Sequence, residues 1–493
     1  MTGAMGSAIK RAVVFLHRYF GMSLALFFLM WFASGLVLLY VPFPRLTPAE
    51  RIAALPPLAL ERCAVTLSQA LDALALDQAE AVRLGMLDGR PVYRILATGK
   101  SARWQAVFAD TGERVTTVDA QAVAAGFQGG GTARQVDSFE LDQWTVSANL
   151  HPYRPLAEVD MQDADGTHLY VSLASAEVVR DTRRMERFWN WIGAIPHWIY
   201  PVQLRRHGDI WHHVVVWLAL PGVLVTMTGL FVGLVRVRFG KGDAGRRIPF
   251  REPVFRWHHV LGLSGALLAL GWIFSGLMSM NPFSLFPSSK PDPQLLAAWH
   301  GGPLSRRDSV EAGLLRGLAG QGIREVEWHR LRGVTALQLR KSLLPADLLL
   351  PRQGTVSSGW DAMALETALR HARPDVALES FALLTEYDDY YYSTAPETGE
   401  RPLPVARATF ADGEWYYIDP ANGRIVKRLA AANRSQRWLY QGLHSMDFPV
   451  LRDRPGLRKI LITVFLFFGI GISATGVILG WRRFSRIRSK LEV

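Results

Sequence analysis

The chain has 493 residues, 49% hydrophobic and 20% charged, with a formal net charge of +12. It is too long for one compact domain, and its slightly positive mean hydropathy of +0.10 is too apolar for an ordinary soluble chain, so membrane spans are sought first. The single cysteine, Cys63, excludes an internal disulfide and a CxxC zinc or thioredoxin-like arrangement, and no C-x-x-C-H motif is present, so any haem is held without covalent bonds.

The first predicted element, residues 12–44, contains an uncharged run from Tyr19 to Pro44 that is long enough to cross a bilayer. Lys10 and Arg11 precede it as they would a signal peptide. The run is longer than a signal core and no small-residue cleavage site follows, so it is expected to remain as a span. Residues 45–209 read as a mixed α and β domain. Leu67 to Leu76 has the pattern of a short amphipathic helix, Pro91 to Ala97 and Ala106 to Ala109 read as strands, and Asp110-Thr-Gly as a turn. A second span covers 210–235, with no charge between Val214 and Val235. The loop 236–256 leads to a third span, 257–286, uncharged from Val260 to Phe286. Residues 287–459 form a second mixed domain, with a helix over Trp360 to His371, a strand at Glu414 to Asp419 and a turn at Asn422-Gly423. The fourth span is 460–481, followed by the tail 482–493.

Charge sets the expected orientation. The segment before the first span, the loop 236–256 and the tail hold 15 basic residues and three acids, Asp243, Glu252 and Glu492. The positive-inside rule places these segments in the cytoplasm. The expectation is a multi-pass protein of a bacterial inner membrane, with both termini cytoplasmic and the two large domains periplasmic. Those domains balance at 40 basic against 40 acidic residues. The charge excess is thus accounted for by topology, with no basic patch left for nucleic acid.

The chain also matches itself. At an offset of 241, His17 and Gly21 fall on His258 and Gly262, Ser23 on Ser264, Trp31 on Trp272, and Ser34-Gly35-Leu36 on Ser275-Gly276-Leu277. At 247, Arg187, Trp191 and His197 fall on Arg434, Trp438 and His444, Thr228-Gly229 on Thr475-Gly476, and Gly233 on Gly480. Two copies of helix, extracytoplasmic domain and helix are read from this, entering and leaving from the same face as a parallel repeat. The predicted fold is a four-transmembrane-helix bundle with two periplasmic α+β domains.

Of the 13 histidines, the matched ones are the most informative. His17 and His258 each stand four residues before a glycine, which on a helix lies on the same face one turn along and leaves room for a flat macrocycle. Ionisable groups at such depth are functional candidates. His197 and His444 form a second matched pair toward the opposite face. Each pair offers two axial nitrogens for a six-coordinate haem. Other readings remain open. Interfacial histidines also bond headgroups or neighbouring helices, and paired external ones are also satisfied surface groups. Imidazole suits zinc and copper too, although no carboxylate or cysteine accompanies these positions at a recognisable spacing. His212 or His213 is the second choice for the outer pair, and His259 the alternative to His258. His151, His168, His300, His329 and His371 read as ordinary domain residues.

His-x3-Gly opening a span, Trp-x5-His before the next, Thr-Gly within that helix, and Trp415-Tyr-Tyr-Ile-Asp-Pro-Ala-Asn-Gly423 together resemble the PepSY-associated transmembrane family over nearly the whole chain. Members include inner-membrane ferric-siderophore reductases that bind two haems b. The resemblance implies a PepSY-like character for the two domains, His17 and His258 on a cytoplasmic-side haem, and His197 and His444 on a periplasmic-side haem. The implied activity is reduction of periplasmic ferric siderophore to release ferrous iron during iron uptake. No G-x-G-x-x-G fingerprint is found, so the electron donor is expected to be quinol or a separate protein. One departure stands out: Leu173-Ala-Ser-Ala-Glu177 replaces Asp419-Pro-Ala-Asn-Gly423, so the first module is expected to have lost its turn and any associated binding role. The run Tyr387-Asp-Asp-Tyr390-Tyr391-Tyr392, with Trp415 and Tyr416, is read either as an aromatic face for a chelate or as the packing of a β domain. The rival to the reductase reading is a haem-free, membrane-anchored PepSY regulator or scaffold binding peptides or a protease, which leaves the matched histidines unexplained. A transporter is disfavoured because the spans lack paired acids and broken helices.

Overall fold

The structure, a computed structural model, describes residues 2–99, 101–237, 248, 250–344 and 346–491. Arg238, Lys241, Asp243, Arg246, Arg247 and Glu492 lie outside the described residues, as does the side chain of Lys490. The chain divides into a helical unit (residues 1–43, 186–286 and 435–493) and a sheet unit (44–185 and 287–434).

The helical unit contains α1 (Thr2–Tyr40), α2 (Ala194–His197), α3 (Gly208–Arg236), α4 (Pro253–Ser279), α5 (Leu443–Ser445) and α6 (Pro455–Leu491). The four long ones are long and apolar enough to cross a membrane. At about 1.5 Å per residue even the shortest exceeds a hydrocarbon core of about 30 Å. At most 39% of each helix's most apolar stretch is buried within the protein. Outward residues such as Leu26, Trp217, Leu267 and Phe467 are exposed and apolar, as lipid contact requires. The helices neighbour one another in the ring α1, α6, α4, α3 around Leu24, Phe28, Phe32, Val225, Trp272, Ile273 and Leu466. The helix α4 ends at Ser279, before the apolar run does. Asn281 turns left-handed at φ 49°, Pro282 cannot continue the helix, and the Asn281 side chain exchanges two 2.8 Å hydrogen bonds with the Phe286 backbone. Phe286 is therefore buried without being helical.

The sheet unit holds sixteen strands among the described residues. The first segment gives β1 (Gln78–Leu87), β2 (Arg90–Ala97), β3 (Trp104–Phe108), β4 (Arg134–Phe139), β5 (Leu156–Asp160), β6 (His168–Ser172) and β7 (Glu177–Thr182). The second gives β8 (Leu304–Ser305), β9 (Glu325–Leu331), β10 (Val334–Arg340), β11 (Asp347–Leu350), β12 (Thr355–Ser357), β13 (Leu378–Leu384), β14 (Val405–Phe410), β15 (Trp415–Asp419) and β16 (Arg424–Leu429). Strands of both segments meet in one sheet, ordered β12-β11-β10-β9-β1-β2-β3, with β8 also on β1. The seam is antiparallel, Arg83 opposite Glu327 and Leu84 opposite Val326. Four-stranded sheets β4-β5-β6-β7 and β13-β14-β15-β16 are covered by the helices Ala120–Gln128 and Ala362–Ala372 respectively.

The turn expected to be lost in the first segment is present. Ala176 takes φ 52° where the second segment has Gly423 at φ 74°. The Ser172 hydroxyl accepts the Ala174 and Ser175 N–H groups, as the Asp419 carboxylate accepts that of Ala421. A serine turn thus replaces an aspartate turn, and the hairpin β6–β7 survives without glycine.

Candidate functional site

The four matched histidines meet as two pairs. His17, on α1, and His258, in the second turn of α4, have ring centroids 6.4 Å apart. His197, closing α2, and His444, within α5, are 6.0 Å apart. The element before α5, Trp438–Gly442, is a π-helical turn, a feature frequent at functional sites. The Trp272 indole N–H donates to the His444 carbonyl at 2.9 Å, tying that short helix to α4.

Hydrogen bonding fixes the tautomer of each imidazole. His17 Nδ1 faces the Val225 carbonyl at 3.2 Å, and an oxygen that only accepts requires Nδ1–H to donate. His258 Nδ1 meets Thr475 Oγ1 at 3.0 Å. That hydroxyl already gives its proton to the Gly471 and Ile472 carbonyls, both at 2.8 Å, so it accepts from histidine. His197 Nδ1 lies 3.1 Å from the Trp31 carbonyl and 3.2 Å from Ser34 Oγ. His444 Nδ1 lies 3.0 Å from Ser275 Oγ, whose hydroxyl is committed to the Trp272 carbonyl. In all four these partners place the proton on Nδ1 and the lone pair on Nε2, as hydrogen-bonded partners do for metal-bound histidine.

Glycines on facing helices admit the rings. A Cβ on Gly229 would stand 2.8 Å from His17 Cε1, and one on Gly35 3.1 Å from His197 Cε1. Their counterparts Gly476 and Gly276 leave 3.6 Å to His258 and His444, an ordinary contact. Each pair therefore has one tightly seated imidazole and one with room. Gly21 and Gly262, singled out in the sequence as space for a macrocycle, touch none of the four rings. A Cβ on Gly262 would meet nothing within 4 Å, and one on Gly21 only Val225 at 3.9 Å.

Burial is the main force on the second pair's protonation. It pushes His197 down to about 4, helped by the neighbouring His444, and it lowers His444 as well. Both are neutral at pH 7, the form that ligates a metal.

Two imidazoles bound end-on to one metal, at about 2 Å each, put their ring centroids about 6 Å apart, as in both pairs here. Among the described residues no group of three or more His, Cys, Asp or Glu converges, so a cage made wholly of side chains is not formed by them. A planar cofactor that brings its own equatorial nitrogens needs only two axial ligands, and the residues present fit that requirement.

The second-choice histidines are placed elsewhere. His259 is buried against Phe250, ring centroids 5.4 Å apart, and does not face His17. His213 Nδ1 returns to the Asp209 carbonyl of its own helix, and its ring lies beside His212. In the tyrosine run, Tyr391 and Tyr392 are buried, Tyr391 stacks on Tyr417 at 5.3 Å, and Tyr390 stands edge-on to Trp415. These contacts pack the β domain. Sequence reasoning assigned no role to Ser34, Ser275, Thr475, Gly35, Gly229, Gly276 or Gly476. Their signal was present in the matches at offsets 241 and 247. Compared with family models and with curated proteins, the chain matches none.

Proposed function

We propose that this protein is a membrane-bound ferric-chelate reductase of a bacterial inner membrane, holding two haems b between His17 and His258 and between His197 and His444. In this reading both termini are cytoplasmic, and the protein passes electrons from quinol or a protein donor to ferric siderophore in the periplasm. The observation that carries it is the pair of facing imidazole couples, each about 6 Å across and each with Nδ1 bonded within the protein and no described residue bonded to Nε2. Haem iron supplies one-electron chemistry when bound.

The protein's own part is positioning. The Val225 carbonyl, Thr475, Ser34 and Ser275 hold the four rings in one tautomer, and glycines on the facing helices let them enter an apolar bundle. His17, His258, His197 and His444 would all be engaged in holding haem, so none of them would bind substrate and a ferric chelate would need only close approach. One electron converts bound ferric to ferrous iron, for which hard oxygen-rich chelators have lower affinity, and the metal leaves.

The reading is tested by mixing dithionite-reduced, detergent-purified protein with ferric citrate under anaerobic conditions, with a ferrous-specific chromogenic chelator present. The expected result is reoxidation of the protein in step with ferrous iron captured. A reduced protein that stays reduced beside a ferric chelate contradicts the activity.

A further inference from the structure

Within the sheet unit, a cavity of about 360 Å³ is lined by Lys290, Tyr391, Glu400, Arg401, Val426 and Lys427, among others, at the smaller end of ligand-pocket sizes. Three cations and one carboxylate face it, and that carboxylate is taken, since Glu400 is ion-paired with Arg45. Arg401 is held in place by donating to the Tyr392 carbonyl at 2.9 Å, with its guanidinium over the Tyr392 ring. Lys427 donates to the Tyr390 carbonyl. These bonds hold the cationic heads in place. The Lys290 side chain is exposed.

The apolar part of the wall is rigid. Tyr391 is stacked on Tyr417 and bonded to the Pro402 carbonyl at 3.0 Å. Burial raises its pKa, so the phenol adds no negative charge. A preset guanidinium and an exposed ammonium group on one wall, with Tyr391 also lining the cavity, is the chemistry that recognises carboxylates.

We propose that this pocket docks the ferric chelate and selects chelates that carry net negative charge through carboxylate groups. The proposal rests on the reductase reading for its substrate, and it names the class: polycarboxylate chelates in preference to neutral or cationic hydroxamates.

The test is titration calorimetry on the full-length protein in detergent with gallium(III) citrate, a redox-inert stand-in for the ferric complex. Metal-free citrate and a gallium complex of a cationic trihydroxamate are the comparators. Wild type is expected to bind gallium citrate more tightly than either comparator. Lys290→Glu, at an exposed position that does not endanger folding, is expected to weaken it by roughly tenfold, and Glu400→Gln to strengthen it. Unchanged affinity in Lys290→Glu, or equal binding of the cationic chelate or of metal-free citrate, overturns the proposal. Haem is counted in the same samples. Haem-free protein with Lys290-dependent binding sinks the reductase reading and leaves the pocket. Haem-loaded protein without such binding sinks the pocket and leaves the reductase.

Discussion

The charge network of the sheet unit and the histidine pairs of the helical unit treat buried polar groups differently. In the sheet unit charges are buried against each other. Arg83 bonds Glu177 at 2.6 and 3.2 Å, Arg51 bonds Glu325 at 2.6 and 2.9 Å, and Arg340 lies 3.3 Å from Glu327. These side chains link strands of both segments and are mutually neutralised. In the helical unit buried charge is confined, among the described residues, to one cluster, Arg437 with Asp447 and its ion-pair partner Arg458. The four imidazoles, by contrast, are neutral ring systems, each of which, among the described residues, uses only one of its two nitrogens. The first pattern holds a fold together. The second leaves a bonding position available, and a position left available in an apolar interior is a functional one.

The largest effect is expected from removing a buried carboxylate of the sheet-unit network. Glu325→Ala strips Arg51 of its bidentate partner and is expected to cost about 3–5 kcal/mol, read by urea denaturation of the full protein, with haem content per folded chain unchanged. A parallel loss of haem would mean that the two patterns are not separate.

Acid titrates the same network. The arginines around Glu177 and Glu327 hold both carboxyls below their ordinary 4.5 against the opposing effect of burial. Depressed carboxylates stabilise the folded state above their unfolded pKa. Sheet-unit stability is therefore expected to be full above about pH 5 and to fall as pH drops through 4.5 and below, which circular dichroism melts across that range will check. A flat profile there would contradict the network's role.

On the helical side the glycines that seat the imidazoles are the sensitive positions. Gly229→Ala drives a Cβ to 2.8 Å from His17 Cε1, whereas Gly476→Ala leaves 3.6 Å to His258. The first is expected to displace the ring and lose most of one haem, and the second to keep it, as counted by pyridine haemochrome. Equal behaviour would refute the asymmetry. The smallest effect is expected from Ser275→Ala, which removes an acceptor from His444 Nδ1 and weakens haem retention by roughly tenfold, measured by transfer to apomyoglobin.

Much of this was legible in the sequence, for physical reasons. Long uncharged runs fixed the four helices, and the matches at two offsets picked out the four histidines that meet. The missing parts are those that local pattern does not encode. The third span was read through Phe286 because apolarity continues past the helix end, while Asn281 and Pro282 stop it. The β6–β7 turn was judged lost because the glycine was absent, but Ser172 does the bonding that Asp419 does in the second segment. The seating glycines were overlooked in favour of Gly21 and Gly262. Helical spacing reports what lies on the same helix, whereas Gly229 and Gly35 act on rings from a different one. The seam between β1 and β9, some 240 residues apart in the chain, has no local signal at all.

The central claim is that the two histidine pairs are axial ligand sets. The most direct measurement is the dithionite-reduced minus oxidised visible spectrum, with a pyridine haemochrome count, for wild type, His17→Ala, His197→Ala and the double variant, all purified from haem-replete cells. The account predicts sharp reduced α and β bands with about two haems per wild-type chain, about half that content in each single variant and almost none in the double. A colourless wild-type protein, or full haem content in the double variant, would contradict it.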